Sequence, residues 1–256
     1  ELISRADDIN WTSEATRGTY IGEARAIRAL CYFDMVRLWE NIPLLDIPTT
    51  DNISQANPDD VYQLIISDLK YAAENIPANA YPKAQAASND GHITKYAAEA
   101  LLARVYLFYS GYYGKEPAGL TRAEALAGVE DVIASGEFGL IDEFKNLWPA
   151  ASVTWTTNND GSHTKTNTYA GRGNVETVLA QKFNYTSDYN GNADGNAWQV
   201  MIALRNLIAV PYGQGWGGCT VNPKLVNSFQ SGDTRSTASI IDCEAEGLVD
   251  HDNFSL

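Results

Sequence analysis

From Gly22 to Leu45 the chain reads GEARAIRALCYFDMVRLWENIPLL, an amphipathic helix that runs into a proline-containing apolar turn. Ala24, Ile27, Leu30, Cys31 and Leu38 recur at spacings of three, four and seven, which predicts that they share one apolar helical face. On that reading Cys31 is a small core residue. Ala29 and Tyr32 form a small-x-x-Tyr step, in which the small residue admits a neighbouring helix and the ring fills the space beside it. Pro43 forces Ile42 out of the helical region of backbone space. The helix is therefore expected to run from about Tyr20 and to end near Trp39 or Glu40.

Three more helices follow from their end signals. Asn57-Pro58-Asp59-Asp60 places an N-cap, a proline at the first helical position and two acids on the positive end of the dipole. That helix is expected to bury Val61, Leu64, Ile65, Leu69, Ala72 and Ala73 and to stop at Ile76-Pro77. A third runs from near Thr94 to Tyr113, with Ala97, Leu101, Ala103, Val105 and Phe108 among its apolar positions. The fourth opens with the capping box Thr121-Arg122-Ala123-Glu124 and closes at Gly136. Ala29-x-x-Tyr32 and Ala103-x-x-Tyr106 hold the same phase in the first helix of each pair. Ala72 and Pro77 keep the spacing of a tetratricopeptide second helix. The second pair lacks that proline, and linkers such as Asp46 to Ala56 are longer than a regular repeat allows. Periodicity alone leaves an irregular helical domain equally open.

Charge removes whole classes of partner. With 32 acidic against 18 basic residues the net charge is −14. Phosphate backbones and anionic lipid both need basic patches, so nucleic acid and membrane-surface docking are not expected. No apolar run approaches the roughly 18 residues of a membrane span. ELISRADDIN, at the start, contains no initiator Met, signal peptide or lipid-accepting Cys, and the chain reads as a mature or trimmed fragment. Cys31, Cys219 and Cys243 are too few and too scattered for a disulfide framework or a zinc site. Cys219 and Cys243 are left open between a pair and two thiols.

Beyond Trp148 the helical period fades. Ala150 to Asn174 is a Thr/Asn/Gly-rich stretch read as loop, Val175 to Phe183 as a short buried strand or extended segment, and Asn184 to Asn196 as a second loop. Trp198 to Val210 fits helix or strand, and a short helix is expected from Asn222-Pro223 to Phe229. Loops this long are functional or partly disordered. Gly213-x-Gly215-x-x-Gly218 matches the dinucleotide fingerprint in letters. Pro211 interrupts the feeding segment, however, and no helix starts on the loop, so no cofactor is expected. Asn190-x-Asn192-x-Asp194-Gly195 resembles the first half of a calcium loop, yet Met201 stands where the bidentate Glu belongs, and a polar turn is the better reading. His92, His163 and His251 have no metal spacing. No nucleophile motif occurs, and acid pairs such as Asp59/Asp60 are explained by helix dipoles.

The aromatics point further. Between Ala150 and Gly218 stand Trp155, Tyr169, Tyr185, Tyr189, Trp198, Tyr212 and Trp216, set among Asn, Asp, Thr and Gly. Aromatic faces stack on the C–H faces of sugars while amides and carboxylates bond the hydroxyls. Trp155, Tyr169 and Tyr189, on loops, are the favoured ligand contacts. Trp198, Asn158 and Asp160 complete the candidate set. Trp198 and Tyr212 lie within apolar runs, and core packing is their alternative.

Four blocks also resemble one family. Gly22 to Leu45 is similar to the "GEARFLRALYYFDLVRLFGDVPL" block of SusD/RagB-type nutrient-capturing lipoproteins of Bacteroidetes. GHITKYAAEALLARVYLFY, Gly91 to Tyr109, resembles that family's "GRATKGAALALLARVYLY". VIASGEFGLIDEFKNL, Val132 to Leu147, is followed by Asn174-Val175-Glu176, where the family often has N-x-E-x-I. Pro223, Leu225, Val226, Phe229, Asp233 and Arg235 fall on its "P-T-x-x-L-V-D-x-F-x-x-x-D-x-R". The resemblance implies a mainly α fold, a tetratricopeptide-like superhelix (residues 1–147) packed against a loop-rich ligand lobe (148–256). It implies non-enzymatic capture of a glycan or other nutrient at the cell surface for a SusC-like TonB-dependent transporter, with no cofactor. Attachment to the outer membrane would be through a lipid anchor absent from this chain, which also lacks the family's first helices and the C-terminal part of its ligand lobe. The family's ligand residues form no fixed motif, so none transfers by position. A tetratricopeptide-type interaction scaffold is the main alternative, and an α-helical glycosidase the third.

Overall fold

The computed structural model describes residues 1–45, 47–81, 91–149, 151–183, 201–202, 204–205 and 214–242. The chain divides into two compact units, residues 1–139 with 175–180, and residues 140–174 with 181–256. The first is helical. After a 3-10 turn at Ile3–Asp8 come α1 (Glu14–Trp39), α2 (Pro58–Asn75), α3 (Lys95–Tyr113) and α4 (Arg122–Ala134). They pack in sequence, α1 on α2, α2 on α3 and α3 on α4, the order of tetratricopeptide-like helix pairs. The fold is mainly α.

Local chemistry fixes the ends. Ser13 caps α1 by accepting from the Thr16 amide, which starts the helix six residues ahead of Tyr20. Asn57 accepts from Asp59 and Pro58 occupies the first turn of α2, and Thr121 and Glu124 close the reciprocal box on α4. At the end of α1, Glu40 adopts φ 61° and the chain turns into β1 (Ile42–Pro43), which pairs antiparallel with β2 (Gln55–Ala56). The Tyr32 hydroxyl pins this turn, accepting from the Leu45 amide at 2.7 Å and donating to the Leu45 carbonyl at 3.1 Å.

The face that α1 buries differs from the predicted one. Gly18, Ile21, Gly22, Ala26, Ala29, Tyr32, Phe33 and Val36 point inward. Ile27 is 50% exposed, Leu38 is 73% exposed and Cys31 is also exposed, while Ala24 and Leu30 are half-buried. Close approach decides the outcome. A Cβ on Gly22 would lie 2.8 Å from Ile76 Cγ1 and 3.4 Å from the Ala72 Cα. Glycine and alanine let the α2 backbone come near enough for its Val61, Ile65, Leu69 and Ala72, all fully buried, to form the core.

Across the middle of this core run Phe33, Tyr62, Tyr109 and Phe108, meeting edge to face at 4.9–6.3 Å. Asp68 is 0% exposed on α2. It accepts two bonds from Arg28 at 2.7 and 2.8 Å, with Arg25 at 3.7 Å. Such a buried carboxylate is tolerable only because cations from α1 hold it. On the α3–α4 side, Lys95 bridges Asp131 at 2.5 Å and Glu99 at 3.4 Å. Burial, offset in part by Lys95, pushes the Glu99 carboxyl up to about 7.

In the second unit, residues Ala150 to Asn174 are not the loop expected of them. They contain a β-hairpin, β3 (Val153–Thr157) antiparallel to β4 (His163–Asn167). β5 (Leu204–Arg205) pairs parallel with β6 (Gln214–Gly215). Most of Trp198–Val210 lies outside the described residues. Short helices at Pro223–Val226, capped by Asn222, and Arg235–Ser239 follow. Val175 to Phe183 is neither strand nor buried. It forms turns and bends, with Val175, Leu179 and Phe183 37–44% exposed, and its residues 175–180 belong to the first unit, where the Gly139 N–H donates to the Val175 carbonyl.

Candidate functional site

The hairpin is built from threonine and asparagine. Its register sets Thr154 opposite Thr166 and Thr156 opposite Thr164, so four threonines share one face. Their β-branched side chains suit a pleated surface, and Thr–Thr pairs stabilise it across the strands. The strands are five residues each, about 17 Å of extended chain.

Its tip is an amide-rich turn. The Asn158 N–H donates to the Ser162 carbonyl at 2.8 Å, and Gly161, at φ +80°, donates to the Asn158 carbonyl at 3.0 Å. Glycine is needed there because the left-handed region strains any residue with a Cβ. Asn158 Nδ2 donates to Ser162 Oγ and Thr164 Oγ1 at 2.8 and 2.9 Å. Asp160 Oδ1 accepts from the Ser162 amide and hydroxyl at 2.9 and 2.6 Å. These bonds, the hydroxyl first, hold the Asp160 carboxyl below the usual range.

Its base is locked to the 3-10 turn at Phe144–Leu147. Buried Ser152 donates to the Trp148 and Lys145 carbonyls at 2.5 and 3.1 Å. The Ala170 amide donates to the Asn146 carbonyl at 2.9 Å, and the Thr168 hydroxyl to the Asn146 side chain. Rigid polar anchoring of this kind is what a loop-borne binding site needs.

Against this frame the candidate ligand residues separate. Trp155 stands at the centre of β3, opposite Lys165. Asn158 and Asp160 stand three and five residues further, at the tip. Tyr169 lies past the far end of β4, half-buried, with its amide donating to Asn167 Oδ1 at 3.0 Å. The hairpin thus brings Trp155, Asn158 and Asp160 onto one element and leaves Tyr169 at its opposite end. Tyr189 and Trp198 lie outside the described residues, as do the calcium-like stretch and Cys243. Asn158 and Asp160 also hold the turn together, a role the residue types alone did not reveal. The signal that could have located the hairpin was the alternation in VTWTT and HTKTN around NNDGS.

The helical unit carries a cleft of about 490 Å³ beside α2, lined by Arg25, Gln63, Ser67, Lys70, Tyr71 and Glu74. Its cations are engaged. Arg25 lies over the Tyr71 ring at 4.2 Å, and Lys70 donates to Glu124 at 2.6 Å, drawing that carboxyl down to about 2. Among the described residues no cluster of three His, Cys, Asp or Glu could hold a metal ion, and no helix is long and apolar enough to cross a membrane.

Comparison with known proteins gives a consistent result. A SusD-like family model, described as "Starch-binding associating with outer membrane", matches residues 2–107. A SusD-like protein of Bacteroides ovatus is 33% identical over 148 residues, which cover 53% of this chain and 24% of that protein. A structure described as a laminarin binding SusD-like protein superposes with a TM-score of 0.65 at 22% identity, covering 96% of this chain and 50% of the other. Another, described as a crystal structure with xylogluco-oligosaccharide, gives 0.56 at 25% identity over 80% of this chain and 36% of the other. The chain spans 20–42% of the length of the curated relatives it matches. Residues 2–107 thus match a SusD-like family model, and helix order, caps and sequence blocks agree with that similarity.

Proposed function

We propose that this chain is part of a glycan receptor that binds an oligo- or polysaccharide without cleaving it. Aromatic rings of the hairpin unit would stack on sugar faces while amides and carboxylates bond the hydroxyls. The observation that carries this reading is the match of residues 2–107 to a SusD-like family model, together with a similar protein whose structure is described with xylogluco-oligosaccharide. A rigid, threonine- and asparagine-rich hairpin bearing Trp155 supports it, since hydroxyl and amide surfaces suit neutral, hydroxylated ligands better than ions. Residues 148–256 form the ligand lobe on this reading, and residues 1–147 its helical support. The captured glycan passes to a SusC-like TonB-dependent transporter, and the receptor works at the outer-membrane surface, held there by a lipid anchor in the longer protein.

The test is Trp155→Ala, Tyr169→Ala and Tyr189→Ala combined, titrated by calorimetry with xyloglucan, laminarin and starch oligosaccharides. Each stacking ring contributes on the order of 1 kcal/mol, so the triple variant should bind about 100-fold more weakly. Unchanged affinity would remove these residues from the site.

A further inference from the structure

α4 is the least buried of the four helices. α1, α2 and α3 each turn a full face into the core, whereas α4 buries Ala125 and Val132 alone. On its outer side Leu126 is 54% and Ile133 72% exposed. Polar groups therefore carry much of its attachment. At its first turn Glu124 accepts from Lys70 of α2 at 2.6 Å. Near its other end Asp131 accepts from Lys95 of α3, and the same ammonium lies 3.4 Å from Glu99 Oε1. Between the two attachments, Gly128 sits against the Glu99 stem, where a Cβ would lie 3.3 Å from the Glu99 Cβ. That close approach covers the carboxyl. Its Oε2 is buried with no hydrogen-bond partner among the described residues.

An ionised Glu99 in this position would have one oxygen without a donor and Asp131 as a second negative charge beside it. A neutral carboxyl avoids both costs. Asp131 keeps its charge, because the bond from Lys95 holds its carboxyl below the usual range, so Glu99 is the member of the pair that carries the proton. α2, the other neighbour of α3, pairs Asp59 with Lys115, Asp68 with Arg28 and Lys70 with Glu124. The charges acting on Glu99 are Lys95 and Asp131.

We infer that α4 is a pH-controlled flap, seated on α3 while Glu99 holds its proton and opening locally as that proton is lost. Opening returns the Glu99 carboxyl to water and to its ordinary 4.5, against about 7 when α4 is seated. Below about 4.5 both states hold the proton and seating is complete, and the advantage is lost as pH rises to about 7. Little apolar surface opposes the opening, since Ala125 and Val132 are small. The flap is independent of the glycan-binding reading.

Native-state hydrogen exchange of the full chain, read amide by amide from about pH 4.5 to about pH 7.5 and corrected for intrinsic rates, tests it. The α4 amides should exchange through an opening that leaves α1 and α2 protected, and their protection should fall on the order of 100-fold across the range. Glu99→Gln keeps the shape of the carboxyl without its titration, and α4 protection should then stay level with pH. Asp131→Asn removes the second negative charge, so the midpoint of the fall should move to lower pH. Protection of α4 equal to that of α1 and α2 at every pH would overturn the flap. A pH-dependent fall that survives Glu99→Gln would overturn its control by Glu99.

Discussion

The helical unit and the threonine hairpin solve the same problem, holding side chains still, with different physics. α1 and α2 interlock through glycine and alanine on one side and branched aliphatics on the other, and a single carboxylate, Asp68, is sealed between them by two arginines. Position there comes from exclusion of water. The hairpin has little to exclude water with. One of its faces is threonine, its tip is an Asn/Asp/Gly/Ser turn and its base is held by Ser152, Thr168 and Asn146. Damage to the helices should therefore spread through the whole unit, while damage to the hairpin should stay local.

The largest expected effect is at Asp68. Replacing it with Ala leaves Arg28 and Arg25 at a buried site without their acceptor, and unfolding free energy should fall by about 3–5 kcal/mol. Denaturant titration followed by far-ultraviolet circular dichroism measures it. Gly22→Val comes next. Its branched side chain cannot avoid Ala72 and Ile76, and about 1–3 kcal/mol should be lost by overpacking. A loss under half a kilocalorie in either variant would mean that α1 and α2 are not locked together as described.

Acidity separates the regions next. The Glu99 carboxyl is raised in the folded state to about 7 from an ordinary 4.5. Between those values the folded protein holds the extra proton, so stability falls as pH rises from about 4.5 to about 7. The fall should be on the order of 1–3 kcal/mol, and Glu99→Gln should flatten it. Thermal melts at intervals of half a pH unit check the slope. Hairpin carboxylates act in the opposite sense and elsewhere on the scale. Asp160 is lowered, so its contribution persists near neutrality and is lost only as pH falls below the ordinary carboxylate range.

Smallest of all should be Asn158→Ala. Loss of its two side-chain bonds to Ser162 and Thr164 should cost about 1 kcal/mol, confined to the turn. Hydrogen exchange of the β3 and β4 amides should accelerate with the melting of the helical unit unchanged. A global shift in melting would break the distinction between the two regions.

The same contrast governs what could be read from the chain. The helix ends at Asn57-Pro58, Thr94 and Thr121…Glu124 were legible because capping is local chemistry among neighbouring residues. The inward face of α1 was not. Ile27, Cys31 and Leu38 carry the apolar signal, but Gly18, Gly22, Ala26 and Ala29 carry the geometry, and close approach is set by what α2 brings to meet them. The hairpin was hidden for a different reason. Threonine is both polar and β-branched, so an alternating Thr strand shows no contrast in hydrophobicity from which a period of two can be read. Aromatic composition pointed to Trp155 and Tyr169, but only pairing register separates them to the middle and the far end of one element. Asn158 and Asp160 looked like ligand donors, and their bonds to Ser162 and Thr164 show that the same groups first shape the turn that joins β3 to β4.

Calorimetric titration of the purified chain with a panel of neutral polysaccharides, followed by assay of the recovered glycan for new reducing ends, tests glycan capture most directly. The account predicts saturable heat for one polysaccharide class and no new reducing ends. No heat from any glycan, on a sample that melts cooperatively, would contradict it, and so would steady release of reducing ends.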